Sequence, residues 1–284
     1  MNKSGGMTVR NILAPLLPKQ PEIGMYDSHQ WLRGRKYAEL FISEDRRIIF
    51  GGYTEGLRYF DGKQGCKWFT VFRHPVPRLV SAYFYCKDVP EDQLCATTAM
   101  KAGEVDLLTF AEHWGNYGLL QFALANVAPE DVLGTDVVEN SCLEIGDRGE
   151  ECVPGWYRLK QYLQGLDQHS TFPENSVPQS TVARFLLPAQ EVLGTRYAAV
   201  GVIEDWETTM RLFDAALGLP GIQWHQEFQA IGVKNSVKTY AAEEHEALQQ
   251  AWNDPELKKF LWLDIILYDH AVAVHKKQAR KYGL

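Results

Sequence analysis

The chain has 284 residues, of which 45% are hydrophobic, and its formal net charge at pH 7 is −7. This length and composition are sufficient for a sizeable hydrophobic core, while the negative charge argues against general binding to nucleic acid or to a membrane surface. No segment approaches 18 uninterrupted apolar residues and no signal peptide is evident, so the chain as given is predicted to be soluble.

The sequence begins with MNKSGGMTVRNILAPLL, in which a lysine, a serine and two glycines precede an apolar segment with helical spacing. Glycines let backbone N–H groups approach an anion, a helix N-terminus carries partial positive charge, and Lys3 adds a full charge. The segment predicts a phosphate-binding loop, although such letters are also typical of flexible chain starts. It is not a Walker A loop, because Lys3 precedes Gly5 and Gly6, and this disfavours an ordinary kinase or GTPase.

A phosphate-binding loop in an α/β nucleotide fold follows a strand, and here no strand precedes the loop. We therefore expect the sequence to be a fragment that lacks its first strand. Any membrane anchor would lie in the missing upstream part.

Residues 68–85, WFTVFRHPVPRLVSAYFY, predict a strand, a turn and a helix in succession. The first five are aromatic or β-branched, as in a buried strand, and Pro75 and Pro77 suit the first turn of a helix. Ligands of open α/β sheets bind beyond the carboxyl ends of strands, where Arg73 is predicted to lie, with Ser81 on the helix that follows. An arginine fork and a hydroxyl suit a phosphate; alternatively, Arg73 makes a structural ion pair and Ser81 is merely a small helix residue.

The remaining elements follow from apolar periodicity. DRRIIFGGYTEG predicts a strand that leaves into a glycine-rich turn. Helices are predicted at DLLTFAEHW, NYGLLQFALANV, EDWETTMRLFDAALG, AAEEHEALQQAWN and the closing segment. Val127 to Arg184 is rich in Pro, Gly and Asp, which predicts a variable loop region of the kind that carries specificity.

The two motifs together resemble those of the sulfotransferases that use 3′-phosphoadenosine 5′-phosphosulfate (PAPS), in particular the membrane-anchored Golgi carbohydrate branch. Asn2 to Thr8 is similar to the family's P-K-[TS]-G-[GT]-[TS]-[ST] motif, which grips the 5′-phosphosulfate. Arg73 to Tyr83 is similar to R-[DE]-P-x-x-R-x-x-S-x-Y, which grips the 3′-phosphate. RYAAVGVIEDWETTMRLFDAALGLP resembles the late strand and helix, of the form v-G-x-x-E, and LKKFLWLDIILYDHAVAVHKKQ resembles the closing helix with its D-x-x-L-Y pattern. The resemblance implies an α/β fold with a P-loop-like parallel sheet flanked by helices, in one sulfotransferase domain over residues 1–284.

The same resemblance implies that a sulfuryl group moves from PAPS to a hydroxyl or amine of a carbohydrate, leaving adenosine 3′,5′-bisphosphate, without a metal. Lys3 and the backbone N–H groups of the loop would stabilise the leaving phosphate. Arg73 and Ser81 would fix the 3′-phosphate, and Arg78 would either assist them or pair with an acidic neighbour. The predicted cofactor-binding residues are Lys3, Ser4, Gly5, Gly6, Met7, Thr8, Arg73, Arg78 and Ser81.

The sequence matches the family's motifs less well at the catalytic base. Many relatives carry a histidine in a G-H element after the second strand, whereas Phe50 to Tyr53 reads FGGY. Glu55 in TEGLRYF resembles the glutamate of the E-K-[ST]-x-x-Y-F element of glucosaminyl N- and 3-O-sulfotransferases, although this sequence is one residue shorter and lacks the lysine. Glu55 is the predicted base beside the catalytic Lys3, and His29 and His74 are the remaining candidates.

Five cysteines leave one unpaired if the others form bridges. Cys86 and Cys95 bracket a short loop, as do Cys142 and Cys152, so two local disulfides are predicted, with Cys66 unpaired. Such pairing implies an oxidising lumen, and with the resemblance it predicts the Golgi lumen, as a type II membrane protein when full length. The alternative is a cytoplasmic protein with five reduced cysteines.

Three functions remain open. The first is a PAPS-dependent sulfotransferase with a glycan or glycoconjugate acceptor. The second is a relative that binds nucleotide or glycan without catalysis, which the missing histidine, Met7 and the lost strand permit. The third is a P-loop kinase, which the position of the lysine and the absence of an evident magnesium-carboxylate motif disfavour. The acceptor sugar, the sulfated position and the oligomeric state do not follow from the sequence.

Overall fold

The computed structural model describes residues 6–14, 23–25, 48–50, 67–90, 95, 103–116, 118–119, 122, 142–144, 150–152, 185–219, 221–232 and 240–284. Helices predominate among these residues, with one parallel strand pair of five and six residues and two pairs of three-residue strands. In this coarse form the protein is α/β. Of the helices in these ranges, none is both long enough and apolar enough to cross a membrane.

The described strands are β1 (Ile23–Met25), β2 (Ile48–Phe50), β3 (Trp68–Phe72), β4 (Cys142–Glu144), β5 (Glu150–Cys152) and β6 (Tyr197–Val202). The described helices are α1 (Gly6–Leu13), α2 (Pro75–Asp88), α3 (Leu107–Trp114), α4 (Leu187–Thr195), α5 (Trp206–Leu217), α6 (Trp224–Ile231), α7 (Ala241–Asn253), α8 (Pro255–Lys259) and α9 (Trp262–Lys281). β1 pairs with β2 and β3 with β6, both in parallel, while β4 and β5 are antiparallel.

The predicted strand, turn and helix at residues 68–85 are confirmed. β3 ends at Phe72, and α2 begins at Pro75, where proline has no N–H to leave unsatisfied. His74 is the N-cap: its Nδ1 accepts a hydrogen bond of 3.3 Å from the N–H of Val76. A cap and a proline at successive positions therefore fix where this helix starts.

The chain divides into two compact units. Unit 1 comprises Met1–Arg73, Ala189–Asn235 and Tyr268–Leu284, and unit 2 comprises His74–Pro188 and Ser236–Leu267.

The core of unit 1 is built from one apolar side each of α1, α5 and α6 and from the facing side chains of the β3–β6 pair. Its buried members are Val9, Ile12, Leu13, Val71, Ala199, Trp206, Met210, Leu212, Phe213, Ala216, Leu217, Ile222 and Trp224. Burial of a large apolar side chain such as Leu212 or Phe213 contributes about 1.5–3 kcal/mol, so this cluster stabilises the unit.

Side chains close both ends of α5. Asp205 caps its N-terminus by accepting a hydrogen bond of 3.3 Å from the N–H of Thr208. At its C-terminus, Lys67 Nζ donates to the carbonyls of Ala216 (3.0 Å) and Leu217 (2.9 Å), and Gly218 ends the helix with a φ of +60°. The helix predicted at EDWETTMRLFDAALG is thus confirmed.

The edge of β6 that does not pair with β3 is bonded by side chains. Val200 accepts a hydrogen bond of 2.8 Å from Nδ1 of His275 and donates one of 2.8 Å to Oε1 of Gln278. The N–H of Val202 donates a hydrogen bond of 2.8 Å to the hydroxyl of Thr209, and this hydroxyl donates one of 3.0 Å to the carbonyl of Val202. Within the described residues β6 pairs with β3 alone, and on its other edge these side chains satisfy the backbone N–H and carbonyl groups of Val200 and Val202.

In unit 2, α2 packs against α3 and α7. The predicted disulfide between Cys86 and Cys95 is confirmed and ties the end of α2 to residue 95. The second predicted bridge stays a prediction, because the side chains of Cys142 and Cys152 lie outside the description. The backbone pairs these two residues directly across the β4–β5 ladder, at a separation that a disulfide can span. Cys66 is outside the described residues.

Candidate functional site

The first helix begins inside the predicted phosphate loop, so Gly6, Met7 and Thr8 belong to its first turn. α1 begins at Gly6, and the N–H groups of a helix's first turn have no acceptor within the helix. Among the described residues, no atom beyond the neighbouring backbone lies within 4 Å of a Cβ built on Gly6, so they leave room for an anion to approach the backbone there. The side chain of Thr8 is fully buried, so the part of Thr8 that suits an anion is its backbone N–H. Lys3, Ser4 and Gly5 lie outside the described residues, and so does the side chain of Met7.

Arg73 is the first residue after β3 and is half-buried. Because β3 and β6 are parallel, their carboxyl ends lie at the same edge of the sheet. Arg73 therefore shares this edge with Glu204 and Asp205, which follow the end of β6 in unit 1.

The two acidic residues at this edge, Glu204 of the v-G-x-x-E segment and Asp205, are functional candidates to which no role was assigned from the sequence. Tyr268 donates a hydrogen bond of 3.1 Å to Oε2 of Glu204, and Nε2 of the buried His275 lies 3.5 Å from Oδ2 of Asp205. Burial, and then the negative charge of Glu204, raise the pKa of Tyr268 above its ordinary value near 10. The tyrosine therefore keeps its proton and donates to the carboxylate at neutral pH. The partners are 64 and 70 residues apart in sequence, so no local pattern indicates these contacts.

Ser81 lies in unit 2, half-buried on α2, six residues after the helix begins at Pro75. One turn before it lies Arg78, which is only 5% exposed. The guanidinium of Arg78 forms an ion pair with Asp264 at the start of α9. Of the two roles that the sequence left open for Arg78, the structure shows the pairing with an acidic residue.

Asp264 also accepts hydrogen bonds from two backbone N–H groups, at 3.0 Å from Gly118 and 2.7 Å from Leu119. The motif arginine on α2 is thus joined to the segment after α3 and to the first turn of α9. Asp264 is the aspartate of the D-x-x-L-Y segment, and no sequence pattern indicates that this segment meets the arginine motif.

Of the candidates for a catalytic base, Glu55 and His29 lie outside the described residues. His74 caps α2 through Nδ1, and its ring lies 4.3 Å from the ring of Trp252, centroid to centroid. His74 therefore packs against an aromatic side chain and caps the turn.

Comparison of the chain with protein-family models, with curated proteins and with solved structures gave no match. Function is therefore inferred from the two motifs and from the residues that surround them.

Proposed function

We propose that the protein is a PAPS-dependent sulfotransferase that sulfates a hydroxyl or amine of a carbohydrate, and that its sheet is P-loop-like. One observation carries the proposal. The segment R-H-P-x-x-R-x-x-S-x-Y starts directly after a parallel strand, at Arg73, and continues into a helix that bears Ser81. This is where an α/β nucleotide fold binds the phosphates of its ligand.

The chemistry of several described residues supports the proposed cofactor. Gly6 opens a helix N-terminus with space around its Cα, which suits the 5′-phosphosulfate. Arg73 and Ser81 offer an arginine fork and a hydroxyl, which suit a 3′-phosphate. Arg78 is the exception, because it is buried against Asp264.

When bound, PAPS supplies the sulfuryl group and its leaving phosphate. Lys3 and the N–H groups of residues 4–8 would stabilise negative charge as it develops on that phosphate. Arg73 and Ser81 would hold the 3′-phosphate, which distinguishes PAPS from ATP. Glu55 would accept the proton of the acceptor hydroxyl or amine, which must lie in line with the bond that breaks.

The disulfide between Cys86 and Cys95 supports an oxidising compartment, and with the motifs it supports the Golgi lumen as the proposed location. A glycan or glycoconjugate is the proposed acceptor.

Thermal unfolding with adenosine 3′,5′-bisphosphate or adenosine 5′-monophosphate tests the proposed cofactor. A ligand at one hundred times its dissociation constant adds about 2.7 kcal/mol to the free energy of unfolding. We expect this from the bisphosphate, with less from the monophosphate. Arg73→Ala should weaken bisphosphate binding by about 10- to 150-fold, as loss of a charge-assisted hydrogen bond implies. Arg211→Ala, at an exposed position on α5, is the matched control and should leave the binding unchanged. Equal stabilisation by both ligands, or by neither, would contradict the proposal.

Sulfuryl transfer from PAPS to a panel of glycan hydroxyls and amines then separates a sulfotransferase from a relative that binds without turnover. Transfer should persist in the presence of EDTA, because the proposed reaction needs no metal. Binding of the bisphosphate without transfer to any acceptor would favour the non-catalytic relative.

A further inference from the structure

A buried polar cluster in unit 2 joins three segments of the chain. It consists of Arg78 on α2, Asp264 on α9 and Asn116, Gly118 and Leu119 in the segment after α3. Arg78 and Asp264 are 5% and 3% exposed, so both charges are shielded from water. Two buried charges are tolerated here because they form an ion pair and because the carboxylate accepts further hydrogen bonds.

Asn116 fixes the other side of the cluster. Its side-chain oxygen accepts hydrogen bonds from the N–H groups of Leu263 (3.1 Å) and Asp264 (3.3 Å), in the first turn of α9. Its backbone has a φ of +56°, a conformation that asparagine tolerates better than most residues. Asn116 thus holds the helix end from which Asp264 reaches Arg78.

Gly118 packs closely against the two charged side chains of the cluster. A Cβ at this position would lie 3.0 Å from Nη1 of Arg78 and 3.1 Å from Oδ1 of Asp264. The backbone of residue 118 therefore packs directly against both the guanidinium and the carboxylate. A long, flexible side chain is held in one position, and the helix that bears it is held with it.

Arg78 lies one helical turn before Ser81 on α2. We propose that Asp264 is a positioning residue for the nucleotide site: through Arg78 it fixes the first two turns of α2 and hence the hydroxyl of Ser81. In this role the second arginine of the motif orients the helix and does not contact the phosphate. The inference rests on the proposed function, because it assigns Ser81 to the 3′-phosphate.

The test compares Arg78→Met, Asp264→Asn and the double variant with the wild-type chain. The dissociation constants for adenosine 3′,5′-bisphosphate and adenosine 5′-monophosphate are measured by calorimetry, well below the lowest unfolding temperature. We expect each single variant to bind the bisphosphate at least about tenfold more weakly and the monophosphate within about twofold of wild type. The double variant should bind the bisphosphate no more weakly than the more affected single variant does, because both changes disrupt the same contact.

Lys87→Met is the matched control on the same helix and lies outside the motif. It removes the ammonium group that lies 5.3 Å from the ring centroid of Tyr83 and 5.5 Å from that of Tyr240, and so lowers stability without touching the cluster. Its unfolding temperature should fall while its bisphosphate affinity stays at the wild-type value. This separates a loss of positioning from a general loss of stability.

Three results would overturn the inference. If the folded variants bind the bisphosphate as wild type does, the cluster is structural only. If Arg78→Met weakens binding but Asp264→Asn does not, the arginine contacts the phosphate directly. If either variant fails to fold, Arg78→Lys is measured instead. A single ammonium cannot replace the guanidinium fork, so this variant should bind the bisphosphate about threefold or more weakly than wild type. An unchanged affinity would then overturn the inference. A wild-type chain that does not distinguish the two nucleotides would instead refute the proposed function.

Discussion

The side chain of Thr209 occupies the space in which residue 201 would carry a Cβ. Gly201 lies within β6, and a Cβ built on it overlaps the methyl group of Thr209, which bonds the backbone of Val202 through its hydroxyl. A helix side chain thus packs directly on the strand backbone, and only glycine admits it at this distance.

Gly201→Ala should therefore destabilise the protein by about 1–3 kcal/mol, as overpacking of a tight core does. The measurement is the free energy of unfolding in urea or guanidinium chloride. Gly194→Ala is the control, because it lies in α4 with no atom within 4 Å of its Cβ. There alanine should be neutral or stabilise by up to about 1 kcal/mol. Equal losses at both positions would argue against the packing of Thr209 on Gly201.

The disulfide between Cys86 and Cys95 should stabilise the folded chain by about 2–3 kcal/mol, because it closes a loop between residues nine apart in sequence. Reduction with dithiothreitol should lower the unfolding temperature. The double variant Cys86→Ala/Cys95→Ala should start from a lower value, and any remaining response to dithiothreitol would report on the predicted bridge between Cys142 and Cys152. A wild-type chain that does not respond to reductant would contradict the stabilising role of the bridge.

Stability should fall at alkaline pH. Burial raises the pKa of Tyr197 far above its ordinary value near 10, so the folded state keeps a proton that the unfolded state loses. The contribution of Tyr197 to the free energy of unfolding is fully present below pH 10. It is lost as the pH rises beyond 10, at up to about 1.4 kcal/mol per pH unit. Unfolding in denaturant between pH 8 and 11 measures the slope. Tyr197→Phe should flatten the curve, while Tyr282→Phe, at an exposed position, should leave it as in wild type.

Glu55→Gln should reduce sulfuryl transfer by at least about 100-fold, the usual contribution of a general base. Binding of the bisphosphate should change by less than about twofold, since the proposed base does not hold the nucleotide. Glu191→Gln, an exposed change on α4, serves as the control for the loss of a surface carboxylate. Transfer at the wild-type rate would remove Glu55 from the mechanism.

Sequence reasoning succeeded where neighbouring residues decide the structure. The start of α2 follows from Pro75, and α3 begins where Asp106 accepts a hydrogen bond of 2.8 Å from the N–H of Thr109. The disulfide between Cys86 and Cys95 was also within reach, because its partners are close in sequence.

Contacts between residues that are distant along the chain do not follow from the sequence. Arg78 and Asp264 are separated by 186 residues, and Lys67 lies about 150 residues before the helix end that it caps. Any of the 36 acidic side chains is an equally good partner for Arg78 on sequence grounds. Packing alone selects one, which is why the motif identified this arginine but not its role.

The side chains along the free edge of β6 bear on how this protein behaves in concentrated solution. An exposed strand edge can recruit a strand from another molecule, which leads to domain swapping and aggregation. Here an incoming strand would have to displace His275 and Gln278 from Val200, and Thr209 from Val202. The three side chains therefore hinder the addition of a strand from another molecule at this edge of β6.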